Sequence, residues 1–237
     1  MKLLLLSNST NPGEAYLGWP KEYLADFIKT NAIKKVLFIP YAGVTVAWDD
    51  YEKKVAEVYA EFGVSLHSIH HEKAPIKAVM DAEAIAVGGG NTFMLVHKMY
   101  ELGVMKPIRE RALAGVPFMG WSAGSNVACP TLRTTNDMPI IEPSCFCCLN
   151  LLPFQINPHY LDAHPEGHGG ETRQQRIEEF LAANPGITVA GLREASLFLV
   201  DGEKMTLKGR KPLRIFKFGQ EPREVESGSD VSFLLQK

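Results

Sequence analysis

Apolar runs alternate with helix-periodic stretches along the first half of the chain. Residues 3–6 and 36–39 contain no polar side chain, as is typical of parallel strands buried on both faces. Between them, residues 14–30 have apolar positions at helical spacing, and Pro20 bears on where that helix starts. Residues 48–62 predict an amphipathic helix that ends at Gly63. The pattern therefore predicts repeated strand–helix units.

The next segments continue this alternation. Residues 64–69 alternate as a strand, and residues 84–87 form a short apolar run that leads into three consecutive glycines ending at Gly90. Asn91 or Thr92 caps a predicted helix that reaches Glu101, and a second helix is predicted over residues 105–113. A further apolar strand, residues 116–119, leads into Gly120.

The second half of the chain has weaker periodicity. Residues 131–152 are rich in Pro, Asn, Asp and Cys and predict a long ordered loop, which in a compact domain is often functional. A helix is predicted over residues 172–183, and Asp201-Gly202 predicts a hairpin turn. Strands are predicted over residues 154–156, 188–192, 196–200, 204–207 and 213–218. No repeat or linker divides the chain, so we expect a single catalytic domain over residues 1–237.

These elements predict an α/β fold with a mostly parallel sheet flanked by helices and a C-terminal antiparallel hairpin. Ligands of such folds bind beyond the carboxyl ends of the strands. Two glycine-rich motifs, residues 88–90 and 120–124, follow predicted strands and therefore lie at that edge.

Composition excludes several classes of function. The 237 residues are 46% hydrophobic and 22% charged, with a formal net charge of -2, so neither nucleic acid nor an anionic membrane is expected as the main partner. No apolar stretch has the length of a membrane span, and residues 3–6 are too short for the core of a signal peptide. We expect a cytoplasmic protein. A homodimer is one assembly we consider, and the sequence leaves the oligomeric state open.

The cysteines give little indication of a metal or redox site. Cys145 and Cys148 have C-x-x-C spacing, but no second pair and no strand–helix redox context accompany them. We therefore interpret Cys145, Cys147 and Cys148 as free thiols of a partly buried loop, and Cys129 as a small core residue. No metal and no cofactor is predicted.

The segment from Gly120 to Gly124 has the form G-x-S-x-G and follows a buried-looking strand. In that context the turn into a helix presents the serine hydroxyl as a nucleophile, and flanking glycines fit where bulky residues would not. Ser122 is the predicted nucleophile. The N–H groups of Ala123 and of Gly90 would together supply the two donors that an oxyanion needs.

A serine nucleophile requires a general base, and the chain has seven histidines. Three of them follow Ser122. We favour His159, because it follows a predicted strand and Pro158 stiffens its backbone, over His164 and His168 in a Pro/Gly-rich loop. The acid stays open at this point: the candidates are Asp137, Glu142, Asp162, Glu166 and Glu194.

These residues resemble the peptidase E family of aspartyl dipeptidases, whose fold is similar to class I glutamine amidotransferase-like and flavodoxin-like domains. The resemblance covers roughly the first four-fifths of the chain. The segments that carry it are residues 3–10, 38–43, 88–93, 120–124, 133–139, 155–159, 165–168 and 170–177. The sequence departs from the family pattern at Arg193-Glu194-Ala195, where Pro-Glu-Gly is expected, and in its cysteine cluster.

The resemblance implies a serine dipeptidase that removes N-terminal aspartate from Asp-X dipeptides. It places the nucleophile on Ser122, the base on His159 and the acid on Glu194, with oxyanion donors on Gly90 and Ala123. Two further positions are implied as supporting or substrate-binding residues: Asn91, and Asp137, which would orient the site or hold the substrate ammonium.

A preference for aspartate requires a cation for its side-chain carboxylate, and arginine binds carboxylates in a bidentate manner. Arg173 is our candidate, ahead of Arg133 and Arg176. Two alternative activities use the same catalytic residues. One is a hydrolase of other aspartyl-containing substrates, similar to cyanophycinase, and the other is an esterase or acyltransferase with an apolar acyl pocket.

Overall fold

A computed structural model describes residues 1–163, 167 and 169–236 of the chain. Its strands form two sheets, one of seven strands and one of four. The α/β class predicted from the sequence is confirmed, with a large, mostly parallel sheet flanked by helices. The second sheet was not predicted.

The larger sheet has the strand order β3-β2-β4-β5-β1-β8-β9. Its first five strands are parallel, and β8 and β9 add to the β1 edge in antiparallel fashion. Their bounds are β1 Lys2–Leu6, β2 Lys35–Ile39, β3 Ser65–Ser68, β4 Ile85–Val87, β5 Phe118–Trp121, β8 Ser196–Asp201 and β9 Lys204–Gly209. The β8–β9 pair is the predicted C-terminal hairpin.

The smaller sheet has the order β11-β10-β7-β6. Strands β6 and β7 run parallel, whereas β10 pairs with both β7 and β11 in antiparallel fashion. The bounds are β6 Gln155–Tyr160, β7 Thr188–Arg193, β10 Leu213–Lys217 and β11 Arg223–Val225. Among the described strands β6 pairs with β7 alone, so it is an edge strand, and its Pro158 is tolerated there.

Helices lie between successive strands along the chain, as is typical of an α/β fold. Their bounds are α1 Lys21–Thr30, α2 Trp48–Ala60, α3 Pro75–Asp81, α4 Thr92–Glu101, α5 Met105–Leu113, α6 Ala123–Asn126 and α7 Arg173–Ala183. Short 3₁₀ turns cover Ile69–His71 and Ser232–Leu235. In the described part of the chain, no helix combines the length and the apolar character needed to cross a bilayer.

Strand β1 lies near the middle of the larger sheet and packs on both sides. Leu3 and Leu5 belong to one buried cluster, and Leu4 and Leu6 belong to the cluster on the opposite face. All four side chains are fully buried, because successive residues of a strand point to alternate faces. Residues just after β1 are therefore held rigidly at the carboxyl edge of the sheet.

Several predicted boundaries differ from the structure. The predicted helix over residues 14–30 begins only at Lys21, because Pro20 occupies the position before the first turn. The strand predicted at 116–119 runs instead from Phe118 to Trp121, and the one predicted at 154–156 continues to Tyr160. Helix α3 and strand β11 were not predicted; both are short.

Candidate active site

Ser122 lies between β5 and α6 with its backbone in the left-handed region, at φ 55° and ψ −114°. A non-glycine residue at such angles is strained, and strain of this kind often occurs at functional sites. The flanking glycines make the turn possible. A Cβ on Gly124 would lie 2.1 Å from the Val87 carbonyl oxygen, and one on Gly120 would lie 2.3 Å from that of Gly124.

The end of β1 holds this turn in place. The carbonyl oxygen of Leu6 accepts hydrogen bonds from the Ser122 N–H, at 3.1 Å, and from the Ser125 hydroxyl, at 2.7 Å. The Ser125 hydroxyl also lies 2.9 Å from the Gly120 carbonyl. The turn is thus anchored to its neighbouring strand at Ser122 itself and at Ser125.

His159 reaches Ser122 from the other sheet. It lies within β6, not after a strand as predicted, at a register irregularity between Pro158 and Tyr160. Its φ of 53° is also left-handed. A bulge of this kind redirects a side chain out of the regular alternation, and the His159 Nε2 atom lies 2.9 Å from the Ser122 hydroxyl oxygen.

Glu194 completes a chain of hydrogen bonds. It follows β7, which is the parallel neighbour of β6, and its Oε1 lies 2.7 Å from His159 Nδ1. Of the candidate acids among the described residues, Glu194 is therefore the one that contacts the ring. Asp162 instead accepts two hydrogen bonds from Arg193, both 2.7 Å long, and these hold the pKa of its carboxyl below the usual value.

Two residues that were not predicted as part of the site join the two sheets behind these hydrogen bonds. The Ser7 hydroxyl donates to the Leu192 carbonyl at 2.8 Å and accepts the His159 N–H at 2.9 Å. The Asn8 side-chain oxygen accepts the Ala195 N–H at 2.9 Å. Ser7 and Asn8 are buried just after β1, so a polar pair following a buried strand was the available signal.

The two predicted oxyanion donors are close to the turn. Gly90 follows β4, has φ 136°, and lies so near Ala42 that a Cβ would be 2.1 Å from its carbonyl oxygen. Ala123 is the first residue of α6, where N–H groups lack intrahelical acceptors. Among the described residues, neither N–H donates to an acceptor, so both remain available to a ligand.

Asn91 and Asp137 fix the start of α4 beside Gly90. Asn91 caps the helix, with its side-chain oxygen accepting the Met94 N–H at 3.1 Å. One oxygen of Asp137, Oδ2, accepts the Thr92 N–H and the Thr92 hydroxyl at 2.7 and 2.6 Å, and the Thr135 hydroxyl at 2.8 Å. Asp137 therefore contacts the start of α4 directly, as the orienting role considered for it requires. Its Oδ1 accepts no hydrogen bond from the described residues.

Asn136 links Arg173 to the backbone carbonyl just before His159. Its guanidinium donates to the side-chain oxygen of Asn136, and the Asn136 amide donates to the Pro158 carbonyl at 2.6 Å. Burial, and then the neighbouring Arg176, lower the pKa of Arg173. No carboxylate of the described residues forms an ion pair with it, although coulombic attraction to Asp137 acts on it.

A cavity of about 170 Å³ opens beside these groups. Arg133, Arg173 and Arg176 all line it, together with Asn136 and Asp137. The Arg133 guanidinium donates to the Thr131 hydroxyl at 3.3 Å and to the Asn184 side-chain oxygen at 3.1 Å. Arg176 lies 3.6 Å from the exposed carboxylate of Glu171. A polar cavity lined by three arginines favours an anionic group.

The cysteines only partly match the interpretation as free thiols. Cys145 and Cys147 form a disulfide, so the expectation was wrong for these two residues, which the shorter C-x-C spacing brings together. Cys129 and Cys148 are free and buried, and burial raises the pKa of the Cys129 thiol to about 12. The alternative candidates His164, Glu166 and His168 lie outside the described residues.

The sequence of the chain is clearly similar to those of known proteins. A sequence profile described as peptidase family S51 matches residues 3–208. The chain belongs to peptidase family S51. It is 46% identical over 236 residues to Peptidase E of Nostoc sp. strain PCC 7120, covering 100% of this chain and 97% of that protein. It is 48% identical over 228 residues to Peptidase E of Salmonella typhimurium strain LT2, covering 96% and 99%.

Solved structures support the fold of this S51 member. A putative Peptidase E protein from Listeria monocytogenes EGD-e has a TM-score of 0.63 at 22% identity, covering 89% of this chain and 98% of that one. A peptidase from an acI-B1 Actinobacterium has a TM-score of 0.71 at 16% identity, covering 98% and 96%. Family membership makes the chain a serine peptidase, as the sequence predicted.

Proposed function

We propose that this S51 peptidase is a serine dipeptidase that hydrolyses Asp-X dipeptides and releases the N-terminal aspartate through an acyl-enzyme on Ser122. The observation that carries the proposal is the series of hydrogen bonds that joins Ser122, His159 and Glu194 in a protein of this family. His159 Nε2 lies 2.9 Å from the Ser122 hydroxyl, and His159 Nδ1 lies 2.7 Å from Glu194 Oε1. The relatives named Peptidase E support the dipeptidase activity.

The first step is proton transfer within this chain of hydrogen bonds. Glu194 accepts the Nδ1–H of His159, which leaves Nε2 unprotonated and able to take the Ser122 proton. The freed oxygen attacks the carbonyl carbon of the aspartyl residue. Glu194 then stabilises the imidazolium that forms.

The tetrahedral intermediate carries a negative oxygen, which the N–H groups of Gly90 and Ala123 would stabilise. His159 returns its proton to the leaving amine, and the C–N bond breaks. A water molecule, deprotonated by His159, attacks the acyl-enzyme and releases free aspartate, and Ser122 recovers its proton.

Aspartate is recognised, in this proposal, by the cavity beside Asn136. Arg173 binds the side-chain carboxylate of the substrate, because its guanidinium forms no ion pair with a carboxylate of the described residues and is partly desolvated. Asp137 lines the same cavity, and its Oδ1, to which none of the described residues donates, accepts the substrate ammonium. Such a site requires both a free amine and an acidic first residue.

A substrate panel with two variants tests the function. Wild-type protein is expected to cleave Asp-X dipeptides, to cleave Ala-X dipeptides only slowly, and not to cleave short esters or an aspartyl-arginine polymer. Ser122→Ala keeps the fold, checked by circular dichroism, and abolishes both turnover and labelling by a fluorophosphonate. Turnover by this variant at the wild-type rate, or a preference for esters or polymer, would end the proposal.

We also propose a cytoplasmic location. The free, buried thiols of Cys129 and Cys148 support it, since unpaired cysteines are common in reducing compartments, whereas the Cys145–Cys147 disulfide is unusual there. Cell fractionation against marker proteins tests the location. Trapping thiols by alkylation at lysis shows whether the Cys145–Cys147 pair is oxidised in the cell.

A further inference from the structure

Four side chains outside the catalytic site converge at the start of α2. Two carboxylates lie one helical turn apart on α2, and two imidazoles follow β3 on the 3₁₀ turn Ile69–His71. This group, named here the α2 cluster, consists of Asp49, Glu52, His70 and His71. We propose that the α2 cluster binds a divalent first-row transition metal of the zinc class and acts as a structural metal site.

The distances fit a single ion. Each member offers one ligand atom, and the four atoms lie within 4.8 Å of one another. His70 Nε2 is 2.9 Å from Asp49 Oδ1, and His71 Nε2 is 2.7 Å from Glu52 Oε2 and 3.5 Å from the same Asp49 oxygen. Tetrahedral zinc with bonds of about 2.0–2.2 Å keeps its ligand atoms about 3.3 Å apart. Small side-chain movements therefore suffice to admit the ion.

Hydrogen bonds from Ser68 leave one ligand atom each of His70 and Glu52 free to bind the ion. The Ser68 hydroxyl is 2.6 Å from His70 Nδ1, so Nε2 is left to coordinate, as in metal sites where the second ring nitrogen has its own partner. The Ser68 N–H donates to Glu52 Oε1 at 2.7 Å, which leaves Oε2. His70 and Glu52 are only 12% and 16% exposed, so both are held in place.

A set of simple histidine–carboxylate ion pairs explains the cluster less well. The rings of His70 and His71 have centroids 3.9 Å apart, and two protonated rings at that distance would repel each other. As metal ligands both rings are neutral, and the ion supplies the positive charge that the two carboxylates require. Two imidazoles with two carboxylates suit zinc and its neighbours in the series rather than calcium or magnesium.

The cluster lies behind the candidate oxyanion site rather than in it. Trp48, the first residue of α2, donates its indole N–H to the Gly43 carbonyl at 3.0 Å and packs edge-on against Tyr41. The intervening residue, Ala42, abuts Gly90. A bound ion would therefore tie α2 to the turn after β3 and stiffen this support. The site is independent of the proposed dipeptidase activity.

Zinc binding to the full-length protein tests the inference. Protein stripped with a chelator is titrated with Zn²⁺ in competition with a chromophoric chelator, and its thermal midpoint is followed in parallel. We expect about one zinc ion per chain and a rise in the midpoint with zinc concentration. His70→Gln and His71→Gln should each weaken binding by about tenfold or more and lose the thermal shift.

The matched control is His67→Gln. His67 lies on β3 beside the cluster, with its Nδ1 3.9 Å from Glu52 Oε1, but its Nε2 pairs with Glu72 at 2.9 Å and it is not a member of the cluster, so this variant should bind zinc as the wild type does. Circular dichroism and zinc-free turnover should be unchanged in all three variants. Equal zinc binding by the wild type and the His70→Gln/His71→Gln double variant would overturn the site.

Cobalt(II) distinguishes this cluster from the cysteine loop. Nitrogen and oxygen ligands give a visible spectrum without the strong near-ultraviolet charge-transfer band that thiolate ligands produce. The expected spectrum lacks that band and disappears in His71→Gln. A thiolate band, or loss of zinc from His67→Gln to the same degree as from His70→Gln, would assign the metal elsewhere and refute the inference.

Discussion

The hydroxyl of Tyr51 donates a hydrogen bond to the carbonyl oxygen of Gly89 at 3.1 Å. That carbonyl and the N–H of Gly90 belong to one rigid peptide unit, so the phenol sets the direction of the proposed oxyanion donor. The Tyr51 oxygen accepts the Trp121 indole N–H, at 3.1 Å, and the Tyr16 hydroxyl, at 3.4 Å. Burial raises the pKa of Tyr51, which keeps its hydroxyl a donor in the neutral range.

Tyr51→Phe should therefore lower kcat by about tenfold and leave KM nearly unchanged, since removing a complete oxyanion donor costs about 10²–10³ in kcat. The variant also leaves the Trp121 N–H buried without an acceptor, which should cost about 1–3 kcal/mol of unfolding free energy. Steady-state kinetics on an Asp-X dipeptide and urea denaturation measure the two effects separately.

Tyr16→Phe is the control for this prediction. It removes the outer hydroxyl of the same network and leaves the Tyr51–Gly89 hydrogen bond in place. Its kcat should stay within about twofold of wild type, because the Gly90 peptide keeps its anchor. Equal losses of kcat in both variants would show that general packing, and not the direction of this peptide, is responsible.

Glu194→Gln should lower kcat by about 10³–10⁴, because the amide no longer holds the His159 tautomer that accepts the serine proton. The matched control is Asp162→Asn, which changes a nearby acid bound to Arg193 instead of to His159. Asp162→Asn should keep kcat close to wild type. If it lost activity as strongly as Glu194→Gln, the proposed assignment of the acid would be wrong.

Asp162→Asn should also change how the stability of the fold depends on pH. Arg193 lowers the pKa of Asp162 in the folded state, so their ion pair stabilises the fold above the unfolded pKa of the carboxyl. That contribution is lost as the pH falls through the folded pKa. Asp162→Asn should therefore lower the thermal midpoint at neutral pH and have little effect in strong acid, as thermal melts across pH would show.

The strands of the larger sheet could be predicted because their signal is local. Buried runs such as residues 3–6 identify a parallel strand wherever they occur. The smaller sheet could not, since periodicity identifies a strand but does not say which sheet that strand joins. Pro158 within β6 is acceptable only because that strand is an edge, which pairing alone reveals.

The candidate site also combines features that the local sequence predicts with features that depend on contacts between distant segments. The turn at Ser122 was predictable, because Gly120 and Gly124 mark it within five residues. From the residues alone the acid stayed open, and only the family resemblance favoured Glu194, since chain order does not define the partners of a serine. The bulge at His159 had no pattern of its own, and the polar residues after β1 did not show that Ser7 would anchor it, because both depend on contact between distant strands.

Arg173→Met should raise KM for Asp-X dipeptides and lower kcat/KM by about 100-fold, the loss expected for charge-assisted hydrogen bonds to a carboxylate. Slow cleavage of Ala-X should change far less. Arg133→Met serves as the control, because Arg133 lines the same cavity but already donates to Thr131 and Asn184. Equal effects of Arg173→Met on Asp-X and Ala-X would assign it a structural role instead.

Gly124→Ala should destabilise the fold by about 1–3 kcal/mol or more and reduce kcat, because backbone must move to accommodate the methyl group. The added Cβ would lie 2.1 Å from the Val87 carbonyl oxygen, and the movement would displace the turn that carries Ser122. Gly186→Ala is the matched control, since no heavy atom lies within 4 Å of its Cβ position. Urea denaturation and Asp-X kinetics on both variants measure these effects. Normal stability of Gly124→Ala would mean that this glycine is not what permits the strained turn.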